Sequence, residues 1–225
     1  MGLKISKKQN RVIKIIFFVI LGLIILALLK IMIWENWYYQ TKSNETRNPE
    51  QAIITDIYDS NTASETEITA KEHDNYQVAA LYPRYLEIER LGLNARVEAS
   101  NVNENTMPLP NNIHDVCWYS GSGRPGENGT ILISGIKQGL KKPGAFVNLD
   151  SLEKNDIITL VRGDGARFDY QVEEILIIDR DKAKDELPNT QKRLNDKETL
   201  SLITANRANL MSGYKSITII RATKK

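Results

Sequence analysis

The chain has 225 residues, 41% of them hydrophobic and 26% charged, with a formal net charge of +2. That length allows one domain of ordinary size plus accessory segments. Lys4, Lys7, Lys8, Arg11 and Lys14 all precede the first long apolar run, so the rest of the chain is slightly acidic. No basic stripe marks a nucleic-acid surface, and nucleic acid is excluded as a partner. Cys117 is the single cysteine, which rules out an internal disulfide. His73 and His114 are the only histidines and stand far apart in sequence; neither a metal nor a cofactor is expected.

The first element is an apolar run. Ile15 to Leu29 carries no charge, and apolar residues continue past Lys30 to Ile33. Roughly 19 helical residues reach about 28 Å, close to the hydrocarbon thickness of a bilayer. Lys30 stands near the end of the run, where its stem can carry the charge to the interface. Trp34, Trp37, Tyr38 and Tyr39 follow, in the position of an interfacial aromatic belt. A cleaved signal peptide would have a shorter apolar core and end at small residues. The pattern predicts a basic cytoplasmic N-terminus over 1–14 and a single membrane-spanning helix over 15–34. The C-terminal part then faces outward, and the membrane is the first predicted partner.

Residues 35–77 are rich in Thr, Ser, Asn, Glu and Asp and show no sustained period, so they read as a flexible or weakly helical polar linker. From 78 to 225 the texture changes to short apolar runs between turn residues. Leu86 to Arg90, Ala95 to Ala99, Gly129 to Ser134, Asp156 to Arg162, Phe168 to Ile178, Thr199 to Thr204 and Ile217 to Ala222 read as strands. Arg124-Pro125-Gly126, Lys142-Pro143-Gly144 and Gly163-Asp164-Gly165 punctuate them. Many short strands with regular turns predict a closed barrel or a sandwich, mainly β. A short helix is predicted over Ala145 to Ser151, with little room for others.

An ordered series of segments adds to this. Pro83-Arg84-Tyr85-Leu86-Glu87-Ile88 is followed by Leu91-Gly92-Leu93-Asn94-Ala95-Arg96-Val97 and Met107-Pro108-Leu109-Pro110. Val116-Cys117-Trp118-Tyr119, Pro125-Gly126-Glu127-Asn128-Gly129-Thr130 and Ile131-Leu132-Ile133-Ser134-Gly135 come next. Gly144-Ala145-Phe146-Val147-Asn148-Leu149 and Thr199-Leu200-Ser201-Leu202-Ile203-Thr204 complete it. From Tyr82 onward the series resembles the sortase family, most of all its class E and F members. The resemblance implies an eight-stranded closed β-barrel on the outer side of a bacterial plasma membrane. It also implies an activity: cleavage of an LPxTG-like sorting signal and transfer of the acyl group to an amine on the cell wall or a pilin. That chemistry needs a cysteine thiolate, a histidine to protonate the leaving amine and an arginine for the oxyanion.

At the matching positions the chain departs from the family. Ile136 follows Ser134-Gly135 where the family has His, and Ala205 follows Ile203-Thr204 where it has Cys. Five residues before Ala222, the place of the arginine, stands Ile217. None of the three can attack, carry a proton or donate to an oxyanion. The resemblance therefore points to a catalytically inactive sortase homologue. Its expected partner is a sorting-signal-like peptide or a surface or pilin protein.

Two alternatives remain at this level: an active transpeptidase with relocated residues and a purely structural surface domain. Cys117 and His114 are weak candidates for relocated chemistry. Thr204 is a candidate groove hydroxyl, and Lys215, sharing strand parity with Ile217, a candidate displaced cation. Leu187-Pro188-Asn189-Thr190-Gln191 resembles a sorting signal with Gln where Gly is usual. It reads as a solvated loop with a proline turn, with a pseudosubstrate as the sharper alternative.

Overall fold

The computed structural model describes residues 54, 56–57, 63–101, 105–192, 197–207 and 214–225, together with Gly22 and Lys30. Gly22 and Lys30 are helical, but the rest of the predicted span over 15–34 lies outside the described residues. Among the described residues no helix is long and apolar enough to cross a membrane. Met1–Glu50 and Gln51–Lys225 are separate compact units, and the described strands all belong to the second.

Among the described residues, ten strands and two helices of this second unit run in chain order. They are β1 (Asp56–Ile57), α1 (Ala70–Asp74), β2 (Pro83–Ile88), β3 (Leu93–Ser100), β4 (Thr106–Met107), β5 (Val116–Tyr119) and β6 (Gly129–Gly135). After these come β7 (Ile157–Arg162), β8 (Arg167–Asp179), α2 (Arg180–Lys192), β9 (Glu198–Arg207) and β10 (Tyr214–Lys224). Eight strands close a barrel in the order β10-β8-β7-β2-β3-β5-β6-β9, and β1 pairs with β4 outside it. The β3–β5 and β6–β9 pairs are parallel and the other barrel pairs antiparallel. Closure leaves no barrel edge unpaired, which answers the exposed-edge problem of an open sheet.

Local chemistry explains several elements. The β7–β8 hairpin turns at Gly163-Asp164-Gly165, with Gly165 at φ +86, a conformation that favours glycine. Arg162 braces the turn by donating from Nε and Nη2 to the Asp164 carboxylate at 3.0 and 2.6 Å. A reciprocal capping box starts α1: Glu72 N–H donates to Thr69 Oγ1 at 3.2 Å, and Thr69 N–H to Glu72 Oε2 at 2.9 Å. Helix α1 lies within the stretch that reads as a linker. Ser64 N–H donates to Asn111 O at 2.7 Å and Asn112 Nδ2 to Thr66 O at 2.9 Å, so this part of the stretch lies on the domain. The second compact unit begins at Gln51, and these hydrogen bonds fasten the stretch around Ser64 and Thr66 to it.

The barrel interior is filled by alternate residues of each strand. Leu86, Ile88, Ala95, Val97, Trp118, Ile131, Ile133, Leu160, Tyr170, Leu200, Leu202 and Ile220 are members of one buried cluster. Phe146 closes it from the segment after β6. The seven strands read from sequence all form, most with extended ends, but the first is shifted to Pro83–Ile88 because Glu89–Leu91 makes a 3₁₀ turn, and the fourth starts at Ile157. Strand β5 escapes the reading because all four of its residues are buried and show no alternation.

Two helix expectations are corrected. Ala145 to Ser151 forms only a single 3₁₀ turn at Leu149–Ser151. Ala145 N–H donates to Ile113 O at 2.7 Å and Phe146 N–H to Ile136 O at 3.0 Å, which spends those groups on neighbouring loops. The stretch containing Leu187 to Gln191 is neither a solvated loop nor an extended pseudosubstrate. It is part of the 13-residue helix α2, with Pro188 inside and Leu187 and Thr190 buried. Tertiary packing outweighs the cost of the missing proline N–H.

Candidate functional site

Strand alternation sorts β6, β9 and β10 into two faces. With Ile131, Ile133, Leu200, Leu202 and Ile220 inside, the outer face carries Leu132 and Ser134 of β6, then Ile203 and Ala205 of β9, then Ile217, Ile219 and Arg221 of β10. Ala205 and Ile217 are direct cross-strand partners. Ser134, paired in parallel with Ile203, ends that ladder, and Ile136 follows the end of β6 at Gly135. Ala205 and Ile217 therefore form a row across β9 and β10 on one face, with Ile136 in the segment that leaves β6. Ile217 is fully buried and the other two are half-buried.

The surface around the row is apolar. Met107, Tyr119, Leu132, Leu187, Ile203, Ile217 and Ile219 form a second buried cluster, against which Ala205 and Leu109 pack. Helix α2 contributes Ala183 and Leu187 to its cover. Arg221 holds that helix down: its guanidinium donates to Glu186, to Thr190 Oγ1 at 2.8 Å and to Glu174 Oε2 at 2.8 Å. Ser134 Oγ donates to Pro108 O, which fixes the Met107 to Pro110 stretch beside the row. Ile54 enters the cluster from the N-terminal side. At its edge, the Arg180 guanidinium lies 4.5 Å from the centroid of the Tyr214 ring. Burial alone pushes the Tyr119 hydroxyl up from its ordinary range.

The weaker candidates fall elsewhere. Thr204 is not a groove residue: alternation turns it inward, it is fully buried, and its Oγ1 donates to Gly135 O at 2.8 Å. Lys215 sits at a β-bulge between Tyr214 and Ser216 and is exposed, so parity with Ile217 does not carry through. Cys117 is 1% exposed on β5, opposite Glu98 and Ser134. Burial pushes its thiol up to about 12, with the Glu98 carboxylate as the lesser cause. His114 does not pair with it. Its Nε2 stands 3.9 Å from Glu67 Oε2.

Both histidines instead line a separate open cavity of about 460 Å³, with Glu67, Asp74, Arg96 and Asp115. Arg96 donates to Asp115 through two bonds of 2.9 and 2.6 Å, which satisfies the buried carboxylate. Among the described residues no three His, Cys, Asp or Glu side chains are placed to hold a metal ion. Sequence reasoning misses Ile54, Arg221, Leu187 and Gln191 as parts of the site. A signal exists only for Leu187 and Gln191, inside the sorting-signal-like stretch.

The comparisons agree with this architecture. The sortase domain model matches residues 86–225. The chain belongs to the sortase family. Among solved structures it is similar to Group B Streptococcus pilus island 1 sortase C2, at 15% identity and a TM-score of 0.55, covering 86% of this chain and 97% of that one. It is similar to Streptococcus pneumoniae sortase C at 17% identity and a TM-score of 0.54, covering 85% and 87%. Against sortase C1 of the Group B Streptococcus pilus island 1 the identity is 20% and the TM-score 0.49, and the chain spans 66% of that protein's length. No curated relative matches the chain.

Proposed function

We propose that this is a membrane-anchored sortase homologue that binds extended peptide without cutting it and assists the assembly of surface or pilin proteins. The observation that supports the reading is the cross-strand pair Ala205–Ile217, with Ile136 just past the end of β6. None of these three side chains has a lone pair, a titratable proton or a hydrogen-bond donor. The motif matches after Ser134-Gly135 and Ile203-Thr204 support taking them as the histidine and cysteine places of the family. A methyl group at Ala205 forms no acyl-enzyme. Loss of a nucleophile costs on the order of 10⁶ in rate in a serine protease, and loss of one oxyanion donor about 10²–10³.

Relocated chemistry draws no support from Cys117, whose thiol is enclosed and held protonated at neutral pH. The anchor over 15–34 and the outward placement of the barrel belong to the same proposal and rest on the apolar run and its aromatic flank. The class E and F likeness rests on the sequence segments. The pilin connection draws on the names of the streptococcal neighbours.

The test uses the full chain in detergent micelles with a pool of LPxTG-like peptides and an amine acceptor, followed by mass spectrometry. Intact peptide recovered in complex with the protein is the expected result. Cleaved or transferred peptide that disappears with Cys117→Ser would overturn inactivity. Intact peptide with no complex would leave a structural domain in its place.

A further inference from the structure

Closure gives every barrel strand a neighbour on each side, but it does not match their lengths. Strand β7 has six residues and β8 thirteen. Their ladder ends where Ile157 meets Gln171. The last bonds across are Val172 N–H to Asp156 O and Asn155 N–H to Val172 O, both at 2.9 Å. Strand β8 then runs on against β10 alone, from Glu174 opposite Arg221 to Asp179 opposite Ser216. Among the described residues no other strand pairs with Ile175 to Ile178, and no loop backbone bonds to them. At roughly 3.3 Å per residue this overhang spans about 20 Å, the length of a common strand.

The overhang is aliphatic at its centre, Ile175-Leu176-Ile177-Ile178. Leu176 and Ile178 pack against the outer cluster under α2, and Ile175 against the inner one. Ile177 belongs to neither and is 60% exposed. Its cross-strand neighbour on β10 is Thr218, whose hydroxyl accepts from Asn206 Nδ2 at 2.9 Å. That neighbour is polar, and among the described residues no strand flanks Ile177 on its other side.

Unpaired strand backbone beside an exposed aliphatic side chain is matched by an extended chain. The added chain completes the ladder with its own N–H and C=O groups, and its alternate side chains meet those next to them. A second copy of this chain suits the overhang poorly. Antiparallel self-pairing that overlaps all four aliphatic residues sets Glu174 opposite Asp179, and like charges in that position destabilise a pair. Arg180 does not offset this, because it begins α2 and lies over the Tyr214 ring at 4.5 Å. Strand β8 carries no basic residue after Arg167. Arg221 compensates Glu174, whereas Glu173 and Asp179 stand exposed at the two ends of the aliphatic run.

We propose that the β8 overhang is a docking edge for an extended segment of a partner protein, with aliphatic residues at alternate positions and basic residues at its ends. The partner adds a strand beside β8, on the side away from β10. Ile177 supplies the apolar contact, and Glu173 and Asp179 select the basic ends. This surface is distinct from the Ala205–Ile217 face and does not rest on the reading of that face.

The test measures fluorescence anisotropy of a labelled synthetic peptide, alternating Thr and Val between terminal lysines, titrated with the full chain in detergent micelles. The peptide binds, and binding slows hydrogen exchange at residues 175–178 while β2 is unchanged. The same peptide N-methylated at alternate residues cannot complete a ladder and does not bind. Terminal glutamates in place of the lysines weaken binding, and added salt narrows that difference. Ile177→Lys weakens binding of the lysine-ended peptide about fivefold or more.

Near-ultraviolet circular dichroism checks that Ile177→Lys keeps its barrel. Should it fail to fold, exchange at residues 175–178 of the wild-type chain decides. Unchanged exchange there under saturating peptide overturns the proposal, as does equal binding of the N-methylated peptide or of folded Ile177→Lys. No binding of the lysine-ended peptide overturns it as well. A dimer in light scattering that Ile177→Lys dissolves would give the overhang to a second copy instead. Displacement of the bound peptide by an LPxTG-like peptide would move it to the Ala205–Ile217 face, which removes this docking edge and keeps the peptide-binding function proposed above.

Discussion

Strands β6, β9 and β10 present two apolar faces, and the two are buried by different means. On the inner face Ile131, Ile133, Leu200, Leu202 and Ile220 are enclosed because the sheet closes on itself. On the outer face Leu132, Ile203, Ile217 and Ile219 are buried as deeply, although an outward residue of a closed barrel ordinarily meets water. Their cover is added from outside by α2 and by Ile54. The inner face is secured by the barrel's topology. The outer face depends on a few side-chain fastenings, and it is the face that carries Ala205 and Ile217.

The comparison is broken most forcefully from inside. Trp118 is fully buried, and its Nε1 donates to Gly123 O at 3.0 Å. Trp118→Ala is expected to cost about 3–5 kcal/mol in urea denaturation and to destabilise the barrel and α2 together. Retained α2 protection with a lost barrel would contradict the dependence of the outer face on the inner one. Next in size is Ile217→Arg, which puts a guanidinium into the buried outer cluster. In a covered site an unpaired guanidinium is expected to cost about 3 kcal/mol, read by the same denaturation. A cost under about 1 kcal/mol would mean that the row is open to water rather than roofed.

Arg221→Met sharpens the difference between the faces. It removes the bonds to Glu174, Glu186 and Thr190 and takes the Arg221 charge away from both carboxylates. The expected loss is about 1–3 kcal/mol. It should appear as faster hydrogen exchange in α2, with β2 and β7 unaffected. Uniform loss across the barrel would show that α2 and the barrel open as one unit.

The two faces also differ in how far sequence reveals them. Alternation and turn chemistry disclose seven barrel strands, because a closed sheet with one buried interior imposes period two. The strands β6 and β9 read as nearly continuous apolar runs, Ile131-Leu132-Ile133 and Leu200 to Ile203, because both faces are buried; pattern alone does not say what lies outside. Strand β5 and helix α2 escape for related reasons. Four residues buried on every side have no period, and Pro188 argues against a helix that packing nonetheless stabilises. Ala205 and Ile217 are visible only as motif positions, while their pairing needs the β9–β10 register. Ile54 is invisible because a short apolar patch such as Ile53-Ile54 in a polar stretch carries no signal of its seat.

The smallest expected effect concerns Cys117, which lies on the outer side of β5 and decides whether a nucleophile survives near the site. Burial pushes its thiol up to about 12, whereas an exposed thiol titrates at about 8.5. The unfolded chain therefore releases this proton first. The stability it contributes is fully present below about pH 8.5 and is lost as pH rises toward about 12, at up to about 1.4 kcal/mol per pH unit. Cys117→Ala removes this slope but keeps any constant cost of the smaller side chain. Between about pH 8 and about pH 9.5, wild type should lose about 1–2 kcal/mol more than the variant in urea denaturation. Tyr76, raised to about 12 chiefly by its own burial with Cys117 the least of the causes, titrates nearly alike in both proteins, so its part largely cancels. Equal slopes in the two proteins would mean that the thiol reaches solvent in the native state, and Cys117 would return as a candidate nucleophile.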